Sequence, residues 1–214
     1  MQSHDDKKIQ NTKIKLCGLR RPEDIEYANE LLPEYIGFVF ARKSKRYVTK
    51  DEARLLKARL NSNIHAVGVF VDEAIENVAE LVNENIIDMV QLHGHEDEEY
   101  ISRLRQMTKC SIIKAFQIEN KADVLKAFKS SADYILLDSG KGSGQVFDWS
   151  ILENIKADRP YFLAGGLEAS NVGNAIARFK PFAVDASSSL ETDGYKDETK
   201  MRAFVDAVRK EGLL

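Results

Sequence analysis

Eight short apolar runs recur along the chain, with starts about 20–30 residues apart: Ile14–Cys17, Tyr35–Phe40, Ile64–Val71, Met89–Leu92, Ile112–Phe116, Tyr134–Leu137, Tyr161–Ala164 and Phe182–Ala186. Each interval has room for one helix and two loops. The runs are mostly continuous rather than alternating, which is the pattern of parallel strands covered on both faces. Helical periodicity fills the intervals. Ile75, Val78, Ala79 and Val82 fall at i, i+3, i+4 and i+7, as do Val172, Ala175, Ile176 and Phe179, and Met201, Phe204, Val205 and Val208. Pro22 suits a first helical turn, and Thr49-Lys50-Asp51-Glu52 has capping-box spacing. A repeated β-α unit allows an open doubly wound sheet or a closed (β/α)₈ barrel. Eight units within 214 residues favour a compact α/β barrel of one domain, residues 13–214, with a short helix around Trp149–Ile155. Residues 1–12 are too polar to offset the entropy of ordering and are expected to form a disordered tail.

Composition narrows the function classes. Lysine and arginine total 31 against 34 acidic residues, a net charge of 31 − 34 = −3, without the basic excess of a nucleic-acid binder. The longest uninterrupted apolar stretch, Tyr35 to Ala41, is far short of the ~18 residues that cross a bilayer. The segment MQSHDDKKIQNT lacks the apolar centre of a secretory signal, so a cytoplasmic location is expected. Two cysteines, Cys17 and Cys110, are too few for a disulfide scaffold, and both are expected to be thiols.

Barrel enzymes work at the C-terminal ends of their strands, and here the chemistry-bearing residues gather at those ends. Cys17 ends the first run and Arg42-Lys43-Ser44-Lys45-Arg46 follows the second. His93-Gly94-His95 follows the fourth, and Asp138 with Gly140, Gly142 and Gly144 the sixth. Gly165-Gly166 follows the seventh, and Asp185-Ala186-Ser187-Ser188-Ser189 closes the eighth. Gly165, Gly166, Ser187 and Ser188 stand where barrel loops commonly build a phosphate pocket from backbone N–H groups, which implies a phosphorylated ligand. Singly, such residues are ordinary turn formers. Cys17 is either a small core residue or a reactive thiol, and Asp138 either a helix N-cap or an acid whose pKa burial has raised. A thiol and a carboxylate facing each other across a barrel mouth would form an acid/base pair for isomerisation next to a carbonyl or imine. Cys17, Cys110, His93 and His95 lack the paired spacing of a structural metal site, and no nucleotide-binding glycine motif is present. One arginine of the basic run, turned inward, could clamp a substrate carboxylate with two parallel bonds.

With these residues in place, the chain resembles the phosphoribosylanthranilate isomerase family over residues 13 to 211. Eight motifs occur in order: Lys15-Leu16-Cys17-Gly18-Leu19, Gly37-Phe38-Val39-Phe40 with Lys43-Ser44-Lys45-Arg46-Tyr47, Val67-Gly68-Val69-Phe70, Gln91-Leu92-His93-Gly94, Leu136-Leu137-Asp138, Gly142-Ser143-Gly144 before Phe147-Asp148-Trp149, Leu163-Ala164-Gly165-Gly166-Leu167, and Pro181-Phe182-Ala183-Val184-Asp185. The resemblance implies an Amadori rearrangement in tryptophan biosynthesis, without metal or organic cofactor, on a small phosphorylated substrate, by a monomer or homodimer. It implies that Asp138 is the general acid, Cys17 the general base and Arg46 the anchor of the anthranilate end. Gly165, Gly166, Ser187 and Ser188 match the phosphate loops, and Asp185 and His93 match further substrate-contacting positions. Two departures stand out. Ser189 replaces a glycine usual in the family, so phosphate binding is expected to be somewhat altered, and the loop after Asp138 is short, so a smaller lid is expected. The competing readings are a related sugar isomerase of the histidine pathway, which generally has an aspartate where Cys17 stands, and a non-catalytic ligand-binding barrel.

Overall fold

The structure is a computed structural model that describes residues 11–138, 149–152 and 157–211. Eight parallel strands close into a barrel in sequence order: β1 Lys13–Cys17, β2 Tyr35–Val39, β3 His65–Phe70, β4 Met89–Leu92, β5 Ser111–Gln117, β6 Tyr134–Asp138, β7 Tyr161–Ala164 and β8 Ala183–Ala186. Closure comes from β1 lying beside β8, in a register that sets Lys15 against Asp185. Every expected strand is present, within a residue or two of its apolar run.

The helices are α1 Pro22–Leu31, α2 Lys50–Lys57, α3 Ile75–Asn83, α4 Glu98–Met107, α5 Lys121–Ala127, α6 Val172–Phe179 and α7 Glu198–Glu211. Thr49 and Glu52 make the expected capping box at the start of α2, and Pro22 is the first residue of α1. The short helix expected near Trp149–Ile155 is a single 3-10 turn, Trp149–Leu152, within the described residues. The glycine-rich segment 140–144, Phe147 and Asp148 lie outside the described residues, as does the tail up to residue 10. Thr12, at the inner end of that tail, already donates to the Pro181 carbonyl at 3.2 Å.

Side chains two apart on a strand share a face, and this parity divides the chain's apolar residues into two cores. Ile14, Leu16, Ile36, Phe38, Val90 and Leu137 point outward against the helices, in the larger core. Tyr35, Val67, Met89, Ile113, Leu136 and Phe162 fill the barrel interior. Tyr134 stacks on Phe182 at 5.0 Å and meets Phe162 edge-on at 5.7 Å, filling the barrel near the strands' N-terminal ends. Above this layer the inward positions turn polar: Lys15, Gln91 and Asp185 are each at most 8% exposed. The interior therefore opens toward the C-terminal ends.

Candidate active site

Strand parity selects what faces the barrel mouth. Cys17 follows Lys15 on the inner face of β1, Asp138 follows Leu136 on β6, His93 follows Gln91 at the end of β4, and Ser187 follows Asp185 at the end of β8. The sites read as separate strand ends thus converge on one rim.

Cys17 is buried, packed against Val39 and Val69. A Cβ on Gly37, its neighbour across the β1–β2 register, would come within 2.6 Å of the Cys17 Sγ, so only glycine leaves room for the thiol. Burial pushes the thiol above its ordinary pKa, against the pull of the Lys15 and Lys196 ammonium groups. Lys15 is itself fully buried and donates to Asp185 Oδ2 at 2.7 Å. Burial pulls the Lys15 pKa down, but the charge of Asp185 and the adjacent Cys17 more than restore it, leaving it above the ordinary value. Asp185 moves up through burial, partly offset by Lys15. Deleting one partner of such a pair strands the other charge, at about 3–5 kcal/mol. The second Asp185 oxygen, Oδ1, is buried with no hydrogen-bond partner among the described residues.

Across the mouth, His93 Nε2 lies 3.3 Å from Asp138 Oδ2, and its Nδ1 lies 3.1 Å from the Gln91 side-chain nitrogen. With Gln91 donating to Nδ1, the neutral imidazole carries its proton on Nε2 and presents it to Asp138. The loop that carries His93 is fixed from below. Lys114 donates to the Gly94 carbonyl at 2.7 Å and to Glu96 at 2.9 Å, while Glu96 accepts from the Asp72 and Gly94 amides. His95 points away from the rim, its side chain 95% exposed and paired with Asp72.

Of the basic run, Arg42, Lys43 and Lys45 are exposed and only Arg46 turns toward the rim. Its Nε and Nη2 donate to the two oxygens of Glu191 at 2.6 and 2.8 Å. The expected inward arginine is therefore already gripped along one edge by a protein carboxylate, and among the described residues its Nη1 donates to nothing. Burial would raise the Glu191 pKa, but Arg46 and Lys196 hold it below the ordinary range. Lys196 donates to Glu191 at 2.6 Å and to the Ser187 carbonyl at 2.9 Å, which ties this pair to the last loop. Both residues sit on a two-stranded ribbon, β9 Glu191–Thr192 and β10 Tyr195–Lys196. Asp193 and Gly194 form its turn at φ 52° and 80°. Sequence reasoning passed over this ribbon, although Asp-Gly between two short runs is its signal.

The loops after β7 and β8 lie together. Gly165 and Gly166 have φ of 92° and 65°, and a Cβ at Gly166 would meet nothing within 4 Å, so open space stands over that part of the backbone. Ser187 donates to the Cys17 carbonyl at 3.0 Å, and Ser188 opens a 3-10 turn, Ser188–Leu190. Ser189 lies inside that turn at negative φ and donates to the Leu167 carbonyl at 2.5 Å, joining the two loops. Its backbone does not require the glycine usual at this position. Among the described residues, no three histidine, cysteine, aspartate or glutamate side chains gather as a metal-ligand set.

Comparison with known proteins bears directly on this arrangement. The model of the N-(5'-phosphoribosyl)anthranilate isomerase family matches residues 14–207. The isomerase of that name from Thermoanaerobacter sp. (strain X514) is 44% identical over 202 residues, covering 92% of this chain and 98% of the relative. A crystal structure of a phosphoribosylanthranilate isomerase in complex with reduced 1-(o-carboxyphenylamino)-1-deoxyribulose 5-phosphate is similar at a TM-score of 0.80 and 32% identity, over 93% of this chain and 99% of that one. A crystal structure of monomers of the dimeric enzyme from Thermotoga maritima is similar at 0.80 and 33%, over 92% and 98%. With a closed barrel, a thiol and a carboxylate on one rim and a match along nearly its whole length, the chain belongs to the phosphoribosylanthranilate isomerase family.

Proposed function

We propose that Cys17 and Asp138 divide the acid–base work of the family's reaction, the Amadori rearrangement of N-(5-phosphoribosyl)anthranilate to 1-(2-carboxyphenylamino)-1-deoxyribulose 5-phosphate. The chain is an isomerase of tryptophan biosynthesis, and the reaction moves protons without changing the atom count. Asp138, as the carboxylic acid, gives its proton to the ribose ring oxygen. The C1′–O bond then breaks as the anthranilate nitrogen pushes in its lone pair, leaving a protonated imine. Cys17, as thiolate, takes the C2′ proton, and the electron pair of that C–H bond neutralises the imine to an enolamine. Proton transfer from the enol oxygen to C1′ gives the ketone. The observation that carries this reading is the parity of β1 and β6, which aims one thiol and one carboxylate at the same barrel mouth. His93 faces Asp138 and, with its proton on Nε2, is available to donate to that carboxylate.

The two ends of the substrate fall to different loops. Gly165, Gly166, Ser187 and Ser188 offer backbone N–H groups to the phosphate, with the open space over Gly166 as its seat. Arg46, oriented by Glu191, turns its remaining edge to the anthranilate carboxylate, and Asp185 Oδ1 is placed to accept a ribose hydroxyl. No helix among the described residues is long and apolar enough to cross a membrane. A mechanism that needs Cys17 as a free thiol suits the reducing cytoplasm, where we place the reaction, and the working unit is a monomer or a homodimer. The direct test is turnover of freshly prepared phosphoribosylanthranilate, followed by loss of its fluorescence. Steady loss requiring both Cys17 and Asp138 is expected, and turnover that survives loss of either would overturn the assignment.

Separate anchors give separate binding defects. Arg46→Ala is expected to weaken a product analogue by roughly 10- to 150-fold, the value of one charged contact of about 1.5–3 kcal/mol, while inorganic phosphate inhibits as in the unaltered enzyme. Gly166→Leu places a side chain in the open space at positive φ, so phosphate and product analogue should weaken together. Inhibition constants for the two ligands decide the matter. An Arg46→Ala enzyme that loses phosphate as strongly as product analogue would move Arg46 into the phosphate site.

A further inference from the structure

We propose that Lys15 is a positioning residue for the reaction: its ammonium, held by Asp185, is the buried positive charge against which Cys17 gives up its proton. This rests on the reading of Cys17 as the base. Lys15 and Cys17 are i and i+2 on β1, so both point into the barrel, with the lysine one layer below the thiol. The lysine is fully buried, the thiol stands two residues on along the same inward face of β1, and Asp185 fixes the ammonium from β8 at 2.7 Å. A lysine in the interior of a barrel is costly, and one carboxylate would satisfy it only in part. The ammonium has three donors, Asp185 takes one of them, and the next polar group on the same strand face is the thiol.

The groups facing Cys17 are few. Val39 on β2 and Val69 on β3 contribute no charge. Lys15 from β1, Lys196 from β10 and Arg46 from the loop after β2 favour the thiolate, and Asp185 from β8 opposes it. Lys196 is held by Glu191 and the Ser187 carbonyl, and Arg46 by Glu191, while Lys15 is the cation on the same strand face directly below the thiol. The two members of the buried pair therefore act on Cys17 with opposite signs. Removing the lysine makes the thiol harder to ionise, and removing the aspartate's charge makes it easier.

Those opposite signs are the test. In a Cys110→Ser background, thiolate formation at Cys17 is followed by ultraviolet absorbance against pH, with the enzyme lacking both thiols as blank. Lys15→Met is expected to move the Cys17 titration up by about one pH unit or more, and Asp185→Asn, which keeps a hydrogen-bond partner for Lys15, to move it down. In the same Lys15→Met enzyme the rising limb of kcat/KM should shift to higher pH, with at least about tenfold lost at neutral pH and much of it regained in alkali. A lysine that only supported the fold would lower kcat/KM evenly across pH. Should Lys15→Met not fold, Asp185→Asn decides alone: a downward shift supports the proposal, and an unchanged or upward shift overturns it. The titration reads the coupling between Lys15 and Cys17 whether or not Cys17 is the base. Turnover surviving in Cys17→Ser would sink the proposed function and leave this measurement standing.

Discussion

Cys17→Ser is expected to abolish turnover while leaving the affinity for a phosphorylated product analogue within a few-fold. A hydroxyl is slightly smaller than a thiol, so it fits the space between Val39 and Val69 that Gly37 leaves open. Melting should therefore shift little. What the substitution removes is an ionisable proton acceptor: a thiol with a reference pKa of ~8.5 can be ionised by a neighbouring cation, whereas an alcohol stays protonated at any working pH. The expected loss in kcat is roughly 10²- to 10⁴-fold or greater, the usual range for a positioned base. The phosphate loops are untouched except that Ser187 donates to the Cys17 carbonyl, a backbone contact that serine preserves. A serine enzyme with near-normal kcat would return Cys17 to the ordinary status of a small buried residue.

How much of this was legible in the chain depends on the kind of signal each element leaves. Parallel strands covered on both faces read as continuous apolar runs, so all eight could be located, and the periodicity of the helices between them identified the barrel. The same continuity hides which face of a strand looks inward. Lys15 sits inside such a run as a single charge flanked by Ile14 and Leu16, and only the register of β1 against β8, across 170 residues of sequence, shows that Asp185 answers it. Gln91, orienting His93, is concealed in the same way. Arg46 was legible as one inward arginine in a basic loop, but the carboxylate that orients it lies 145 residues further on, in a ribbon whose two strands are two residues each. Pairs of that kind are products of tertiary closure, and local propensity carries no trace of them. The glycines were legible as turn residues, and Gly165 and Gly166 as a candidate phosphate loop, but which glycine packs against a neighbour and which faces open space was not. Gly166 and Gly18 both have positive φ, yet a Cβ on Gly18 would strike the Arg46 side chain while one on Gly166 would point into open space. The first is a packing glycine and the second leaves room for a ligand.

Asp138→Asn is the variant that separates chemistry from capping at the end of β6. The amide has the size and shape of the carboxylate, its oxygen can still accept from His93 Nε2, and asparagine is as good a helix N-cap as aspartate. If Asp138 only capped the following segment, Asp138→Asn should leave both kcat and melting temperature near those of the unaltered enzyme. If it is the general acid it cannot be replaced, because an amide is far too weakly acidic to protonate an ether-like ring oxygen, and the ring must open before a base has an acidic C–H to attack. The expected result is loss of kcat by roughly 10²- to 10⁴-fold with product-analogue binding retained and melting unchanged. Asp138→Ala completes the comparison. It also removes the partner of His93 and any cap, so a further fall in melting temperature, about 1 kcal/mol in stability for a lost cap, measures the structural share separately. An Asp138→Asn enzyme that turns over normally, beside an Asp138→Ala enzyme that melts early, would assign the carboxylate to the fold and require the proton for ring opening to come from another group at the rim, with His93 the first to examine.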